Sequence, residues 1–300
     1  MSKYNLKLID IHTHGAFGVN FNIANYDEIK HLLKELFQKN IKGICPTLVG
    51  DSNKNIQKQL EIFSKIKKEQ LESIDNECLI LGVHLEGSFL SPDKSGIQDK
   101  KVFLKPTVEN FKRLVGNCED IIKIVTIAPE EDIDLIDYLN ENNIKTQAGH
   151  SISEIIGRCV GTTHHFNAMN SIHHRINSIA LEGLIRDEIY CEIIADLIHT
   201  NENILKLFLK SKPKEKVLLI SDSLPSANFD KDIIFCGKQI NKFGKDDNGT
   251  LAGSNKTLDE ICYNLIEKNI LTVDDINMMG FYNQINYLNI KARELDILNR

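Results

Sequence analysis

The sequence contains no tryptophan, and none of its seven cysteines lies in a C-x-x-C pair. Cysteines scattered in this way indicate neither a disulfide framework nor a cysteine zinc site, so we expect reduced thiols. No apolar run reaches the roughly 18 residues that a membrane helix needs. No basic block is present and the formal net charge is −6, so the sequence does not indicate nucleic-acid binding.

The N-terminal segment is not typical of a signal peptide, because polar residues interrupt its apolar run and histidines follow at once. We therefore expect a cytoplasmic protein. Hydrophobic residues make up 42% of the chain and charged residues 26%, which is typical of globular proteins. The length of 300 residues fits one α/β barrel of roughly 250 residues or two smaller domains.

Short apolar runs alternate along the chain with amphipathic stretches, as in parallel βαβ units. Residues 26–39, for example, place Ile29, Leu32, Leu33 and Leu36 on one helical face. This alternation predicts an α/β fold, a (β/α)₈ TIM-type barrel, as a single domain over residues 1–300. The predicted strands are residues 6–11, 41–49, 78–85, 121–127, 144–149, 162–166, 189–195 and 217–220. The predicted helices between them are residues 26–39, 56–66, 107–114, 131–139 and 202–209.

Two segments depart from this alternation. Residues 87–101 form a long Gly/Pro/Ser-containing loop after the third strand, and long loops in compact domains are often functional. Residues 229–254 contain the turn sequences Cys236-Gly237-Lys238 and Asp246-Asp247-Asn248-Gly249. We therefore predict a hairpin insertion after the eighth strand.

Ionisable residues gather where the predicted strands end. His12 and His14 lie two residues apart on the first strand, so their imidazoles point to the same side and can share a metal ion. A single polar strand end is most simply the point where a strand meets solvent. Six such ends are harder to explain, because barrel active sites lie at that face. The others are His84-Leu85-Glu86, Gly149-His150-Ser151, His164-His165, Asp196 to His199 and Ser221-Asp222.

These motifs resemble the amidohydrolase superfamily and, within it, the N-acetylglucosamine-6-phosphate deacetylase family. The resemblance rests on motifs that recur in family order over about residues 8 to 290. They are HLEG-x-F at residues 84–89, GHS at 149–151, TH-x-F-NAM at 163–169, IAD-x-x-H at 194–199, SD at 221–222 and LAGS at 251–254.

The resemblance implies the roles of individual residues. Glu86, His150 and His164 would be the principal ligands of a divalent ion, most simply Zn²⁺ or Fe²⁺. His12 and His14 would complete a second metal position, giving one or two ions per subunit. Asp222 would be the general acid and base. The residues that would contact a sugar phosphate are Gln98, Asn167, Ala168, Arg175, His199, Ala252 and Gly253.

The reaction implied by the resemblance is removal of the acetyl group from N-acetylglucosamine 6-phosphate, which yields glucosamine 6-phosphate and acetate. It also implies a homodimer in which Arg175 reaches the neighbouring active site. Two alternatives stay open from the residues. One is a related amidohydrolase acting on another N-acyl amino sugar or amide, and the other is a catalytically impaired barrel that only binds sugar phosphate.

The sequence departs from the family pattern in several places. Gln98 stands twelve residues after Glu86, where the family usually has a histidine that polarises the acetyl carbonyl. Glutamine can donate a neutral hydrogen bond but cannot become an imidazolium, so some transition-state stabilisation is expected to be lost. His150 and His164 are only fourteen residues apart, which predicts a trimmed helix between strands five and six. We also expect the small β-sandwich of the family to be missing.

Overall fold

The computed structural model describes residues 4–130 and 134–299, and its centre is a sheet of eight parallel strands that pair in chain order. The bounds of the strands largely follow the predicted apolar runs. They are β1 Leu8–Thr13, β2 Ile41–Leu48, β3 Val83–Phe89, β4 Ile122–Ile127, β5 Lys145–Ala148, β6 Gly161–Thr162, β7 Tyr190–Ile194 and β8 Val217–Ile220.

Hydrogen bonds between the first and last strands close this sheet into a barrel. The N–H of Asp222 donates to the carbonyl of His12 at 2.9 Å, and the N–H of His14 donates to the carbonyl of Ser223 at 2.8 Å. The buried carboxylate of Asp10 accepts the Ser221 hydroxyl at 2.5 Å. The predicted (β/α)₈ barrel is thus confirmed.

The period-two alternation of the strands separates two apolar layers. In β8, Leu218 and Ile220 belong to the cluster inside the barrel, whereas Val217 and Leu219 pack against the surrounding helices. In β1, Ile9 likewise lies inside. Interior and exterior are both apolar because a parallel barrel is covered on both faces, so these strands read as nearly continuous apolar runs.

The helices around the barrel begin at recognisable caps. At α1 the side chain of Asn25 accepts from the N–H of Glu28, and the Glu28 carboxylate accepts from the Asn25 N–H, which is a capping box. Residues 131–133 of the predicted fourth helix lie outside the described residues. The helices are α1 Tyr26–Gln38, α2 Asn53–Glu72, α3 Val108–Val115, α4 Asp134–Glu141, α5 Ile179–Ile185, α6 Glu202–Ser211, α7 Leu258–Glu267, α8 Val273–Asn277, α9 Asn283–Leu288 and α10 Ala292–Leu298.

The C-terminal helices cover the amino-terminal end of the barrel. A π-helical turn over Met278–Tyr282 joins α8 to α9. Phe281, Tyr287 and Leu298 from this region pack into the cluster inside the barrel. The Asn283 amide also donates to the carbonyl of Val217, at the start of β8, at 2.7 Å. The opposite end, where the strands finish, is left free to form a cavity.

Two strand predictions were wrong in detail. The third apolar run is interrupted at Gly82, with φ +154°, so a short strand Leu79–Ile80 pairs with β2 before β3 begins. The predicted sixth strand, residues 162–166, stops at Thr162, because His164 and Phe166 have positive φ angles of 25° and 79°. This turn carries the His164 side chain into the barrel mouth.

The predicted hairpin insertion is confirmed, although its strands are short. Ile233–Phe235 pairs antiparallel with Lys238–Ile240. Gly15–Ala16 and Val19–Asn20 form a second small antiparallel pair after β1. Between β5 and β6 the chain contains no helix, whereas the sequence predicted a trimmed one. Over the described ranges, no helix is both long enough and apolar enough to span a membrane.

Candidate active site

A cavity of about 340 Å³ opens at the carboxyl ends of the barrel strands. Most residues that the sequence predicted for the site lie in its wall. His12 lies directly beneath it and is fully buried. The predicted residues that line the cavity are His14, Glu86, Gln98, His150, His164, Asn167, Ala168, His199, Asp222, Ala252 and Gly253.

Glu86, His150 and His164 converge on one point of this cavity. The carboxylate oxygen Oε1 of Glu86 is 3.0 Å from Nε2 of His150 and 2.8 Å from Nε2 of His164. The two imidazole nitrogens are themselves 3.0 Å apart. Three ligand atoms this close together can hold a metal ion.

A second group meets the first at Glu86. The other carboxylate oxygen of Glu86 lies 3.3 Å from Nε2 of His14, and Oε1 lies 3.6 Å from Nε2 of His12. Asp222 Oδ1 is 3.2 Å from His14 Nε2 and 3.4 Å from His12 Nε2. Glu86 is therefore placed between two potential metal positions, and Asp222 lies beside the second.

The far nitrogens of these imidazoles are held by neighbouring groups. His14 Nδ1 donates to the carbonyl of Thr47 at 3.2 Å, and His150 Nδ1 donates to the carbonyl of Lys94 at 2.6 Å. When these rings are neutral, Nε2 carries the lone pair, and Nε2 is the atom that faces Glu86. His12 Nε2 is buried without a hydrogen-bond partner. These observations fit the residues to a divalent ion.

The close packing of carboxylates and imidazoles shifts their pKa values. Burial opposes the charged form of His12, but the carboxylates of Glu192, Glu86 and Asp222 raise its pKa well above the usual range. Burial also opposes the charge on His14, yet hydrogen bonds to Asp222 and Glu86 raise its pKa to about 8. Despite its burial, Asp222 has a lowered pKa because of the nearby His12 and His14. The cluster therefore attracts positive charge strongly.

Several site residues lie on strained backbone. His150, Ala168, Leu197 and Asp222 all have positive φ angles, between 47° and 66°. Non-glycine residues rarely adopt this conformation, and it is concentrated at functional sites. Each of these residues follows a barrel strand, where the turn directs its neighbours or its own side chain toward the cavity.

Gln98 reaches the site but is tied to backbone at both ends of its amide. Its Nε2 donates to the carbonyl of Glu86 at 2.9 Å, and its Oε1 accepts the N–H of Gly50 at 3.0 Å. Gly87 passes so close to Gly50 that a Cβ on Gly87 would lie 1.9 Å from the Gly50 nitrogen. Gln98 thus fastens the ends of β2 and β3 beside Glu86.

The predicted sugar-contacting residues surround the outer part of the cavity. Asp196 orients His199, because its Oδ2 accepts from His199 Nδ1 at 2.8 Å. The Asn167 side chain donates to the carbonyl of His164 at 3.3 Å. The N–H of Ala252 is engaged with the carbonyl of Gly244 at 2.8 Å. The N–H of Ala252 is therefore already used within the chain.

Arg175, unlike the other predicted site residues, lies neither in the cavity wall nor directly beneath it. It is exposed on the loop between Met169 and Ser178, and its Nε donates to His174 Nε2 at 2.8 Å.

Sequence reasoning missed several residues of the site. Lys94 and Phe235 line the cavity, and Thr47 and Glu192 hold His14 and His12 from behind. Glu192 could have been noticed, because it is the one charged residue in the apolar run of residues 189–195. The others carried no comparable sequence pattern.

No family model matches the chain. Among curated proteins, the chain is 31% identical over 260 residues to the N-acetylglucosamine-6-phosphate deacetylase of Bacillus subtilis, which covers 82% of the chain. The chain is similar to N-acetylglucosamine-6-phosphate deacetylases over most of its length. It spans 65% of the length of that relative. The enzyme of the same name from Lysinibacillus sphaericus is 28% identical over 299 residues, or 94% of the chain and 75% of the relative.

Further relatives widen the comparison. The N-acetylgalactosamine-6-phosphate deacetylase of Escherichia coli O157:H7 is 24% identical over 272 residues, or 86% of the chain and 71% of the relative. The crystal structure of the Thermotoga maritima N-acetylglucosamine-6-phosphate deacetylase superposes with a TM-score of 0.83 at 24% identity. It covers 95% of the chain and 78% of that structure, and it supports the fold.

A third structure shows what one family member binds. A variant of the Mycobacterium smegmatis enzyme was solved in complex with N-acetyl-D-glucosamine-6-phosphate. It matches with a TM-score of 0.83 at 22% identity, over 95% of the chain and 77% of that structure. Binding of the sugar phosphate was therefore observed for the Mycobacterium smegmatis enzyme.

Proposed function

We propose that this chain hydrolyses the acetamide of N-acetylglucosamine 6-phosphate, giving glucosamine 6-phosphate and acetate. The observation that carries the proposal is the convergence of Glu86, His150 and His164 with Asp222 in one cavity, in a chain similar to these deacetylases. Metal-assisted amide hydrolysis needs metal ligands, here the Glu86 carboxylate and the two imidazoles, and a further carboxylate, here Asp222, that can carry a proton. The mouth of a barrel is where such sites lie.

We infer that the enzyme depends on a divalent ion, with Zn²⁺ or Fe²⁺ as the preferred metals. Glu86, His150 and His164 would hold the first ion, and His12 and His14 would hold a second one together with Glu86. A bound divalent ion supplies the Lewis acidity that brings the pKa of water toward 7 and offsets negative charge on the substrate oxygen. The mixed imidazole and carboxylate ligands suit either metal.

Asp222 is proposed to move the proton in both halves of the reaction. Its lowered pKa keeps it ionised at neutral pH, so it can accept a proton from the attacking water. The C–N bond then breaks, and Asp222 returns that proton to the departing amine. The carboxylate therefore ends each turnover in the state in which it began.

The remaining wall of the cavity is proposed to orient the sugar phosphate. Asn167, Ala168, His199, Ala252 and Gly253 all lie in this wall. His199 is suited to an anion, because hydrogen bonding to Asp196 raises its pKa although burial opposes this. Gln98 remains a proposed substrate contact through the second hydrogen of its amide.

We further propose a homodimer in which Arg175 contacts the substrate phosphate of the partner subunit. Arg175 is exposed and does not line its own cavity, and the exposed Ile172 and Ile176 lie close to it in the sequence. Apolar side chains around an arginine fork suit an interface that binds phosphate. Mixing inactive Arg175→Ala and Asp222→Asn proteins should restore activity, because mixed dimers contain one intact site. Mixtures that stay inactive would contradict this assignment.

We also propose the domain organisation and the cellular location of the protein. We propose that residues 1–300 form a single amidohydrolase-like barrel domain, which is supported by one closed sheet through the described residues. We also propose a cytoplasmic location, where all seven cysteines stay reduced. They are free in the structure.

Acetate release by the purified protein tests the proposed function. The protein is stripped of metal and assayed again with Zn²⁺, Fe²⁺ or Co²⁺ restored. N-acetylglucosamine 6-phosphate, its galactosamine epimer and the unphosphorylated sugars are compared as substrates. We expect metal-dependent turnover with kcat/KM highest for N-acetylglucosamine 6-phosphate. Turnover of another N-acyl sugar alone would reject this substrate, and binding without turnover would indicate a barrel that only binds sugar phosphate.

A further inference from the structure

Beneath the cavity, a layer of polar side chains crosses the interior of the barrel. Each member is fully buried, which is unusual for an interior that is otherwise apolar. The layer draws side chains from β1, β3, β4, β5 and β7 and from the residue after β6. Its members are His12, His84, Thr126, Gln147, Thr163 and Glu192.

Hydrogen bonds connect this layer from one side of the barrel to the other. His84 Nε2 lies 2.8 Å from the Thr126 hydroxyl, which is 2.8 Å from the hydroxyl of Thr163. Thr163 donates to Gln147 Oε1 at 3.1 Å, and Gln147 Nε2 donates to Glu192 Oε1 at 2.9 Å. The chain of contacts thus ends on a carboxylate.

Glu192 touches two of the proposed metal ligands at once. Its Oε2 accepts from His12 Nδ1 at 2.9 Å and from the backbone N–H of His164 at 3.2 Å. Together with Gln147 Nε2, these groups give the Glu192 carboxylate three hydrogen-bond donors. Three donors satisfy a buried carboxylate that has no contact with solvent. Because His12 donates through Nδ1, its Nε2 faces Glu86 and Asp222.

We propose that Glu192 is a positioning residue for the second metal position. It keeps Nδ1 of His12 as the donor, so that Nε2 is presented as the lone-pair ligand beside His14 and Glu86. This inference rests on the proposed function, since it assumes that the cavity holds metal. Outer partners of this kind typically change metal affinity by about 10–100-fold when they are replaced.

Metal occupancy tests this role without relying on turnover. Metal-free wild-type protein and Glu192→Gln are dialysed against a series of free Zn²⁺ concentrations, and bound zinc is measured by mass spectrometry. We expect two equivalents per wild-type chain. In Glu192→Gln the second equivalent should need about tenfold more free Zn²⁺, and the first should bind as in wild type. His12→Asn identifies the second equivalent, because it should remove that one.

Glu77→Gln is the matched control. Glu77 is also buried and accepts from Gln70 Nε2 at 2.9 Å, but it lies outside the site, beside Lys30. Its zinc isotherm should match that of wild type. Gln147→Met is a second variant in case Glu192→Gln does not fold. It keeps Glu192 and should weaken the same equivalent to a smaller extent.

The outcomes separate the two proposals. Unchanged zinc isotherms in Glu192→Gln, equal weakening of both equivalents, or a wild-type chain that binds only one equivalent would each overturn the inference. The last of these results would leave the proposed function standing. A wild-type protein that binds no zinc or other divalent metal would overturn the proposed function, and this inference with it.

Discussion

At the scale of single residues, the position of Asp222 in the barrel determines whether its carboxylate can carry out the proposed proton transfer. Its carboxylate faces the cavity between the imidazoles of His12 and His14, on a residue with φ +50°. Its N–H joins the end of β8 to β1 through the carbonyl of His12, and its own carbonyl accepts the N–H of Ser254. The backbone that closes the sheet therefore also aims the proposed proton carrier.

Replacing Asp222 with Asn should lower kcat about 10²–10⁴-fold, because the amide cannot accept a proton. The amide keeps the shape of the carboxylate, so the first zinc equivalent should still bind. Acetate release and zinc content, measured on the same sample, check both statements. Asp247→Asn, in the exposed turn before Gly249, is the control and should keep full activity. Full turnover by Asp222→Asn would remove this residue from the mechanism.

Gln98 shows why a single substitution in a motif cannot be interpreted from the sequence alone. The sequence predicted a weaker stand-in for a histidine that polarises the substrate. In the structure both ends of its amide hold backbone groups of β3 and the β2–α2 loop. Comparing this position with the family motif could not show that Gln98 also holds two backbone segments together.

Replacing Gln98 with Leu should lower the free energy of unfolding by about 1–3 kcal/mol, because the Glu86 carbonyl loses a buried donor and the Gly50 N–H loses an acceptor. Urea denaturation of the metal-free protein measures the change. Gln57→Leu, which removes an exposed hydrogen bond to Arg113 O, is the control and should cost less. Equal stability of the two variants would contradict the structural role of Gln98.

At the scale of elements, the carbonyl groups at the end of the short helix α5 are hydrogen-bonded by a lysine that follows the next helix, α6. Lys212 follows α6 and is almost fully buried. Its Nζ donates to the carbonyls of Gly183 at 2.8 Å and Arg186 at 2.7 Å, at the end of α5. A cation at this point satisfies orphan carbonyls and complements the helix dipole.

Replacing Lys212 with Met should lower the free energy of unfolding by about 1–3 kcal/mol, because two carbonyls lose a charged donor. Thermal and urea unfolding measure this loss. The matched control is Lys210→Met, since Lys210 is exposed in the last turn of the same helix. If Lys210→Met and Lys212→Met are equally stable, the proposed cap contributes nothing.

At the scale of the whole molecule, bound metal and barrel stability should be coupled. The proposed ligands come from β1, β3 and the segments after β5 and β6, so an ion that binds them joins distant parts of the chain. Ligands that bind only the folded state stabilise it by about 2.7 kcal/mol at a hundredfold excess over Kd.

A chelator should therefore lower the Tm of the wild-type protein, and added Zn²⁺ should restore it. Differential scanning calorimetry at several free Zn²⁺ concentrations gives the dependence. His150→Asn serves as the control, because it removes a ligand of the first position and should reduce the response to zinc. A Tm that does not change with zinc would show that the folded state binds no ion at these residues.

Local pattern was sufficient for the parts of the fold that depend on short-range periodicity. The apolar runs of β1, β2, β4, β7 and β8, the α1 face and the hairpin after β8 were all predicted from it. It failed for β6, where positive φ angles at His164 and Phe166 end the strand. It also left out α5 and the C-terminal helices, whose packing on the barrel end depends on contacts distant in sequence.

The sequence by itself determined which imidazole and carboxylate groups are available to the site. Residue types, and the ends of the apolar runs that predict strands, can both be identified in the sequence. His12, His14, Glu86, His150 and Asp222 needed no coordinates to be selected. Only the tertiary structure decided that Glu192 lies behind His12, that Gln98 is held by backbone, and that Arg175 is not in the wall of its own cavity. These relations join residues many positions apart, and they exist only once the sheet has closed and brought its strand ends together.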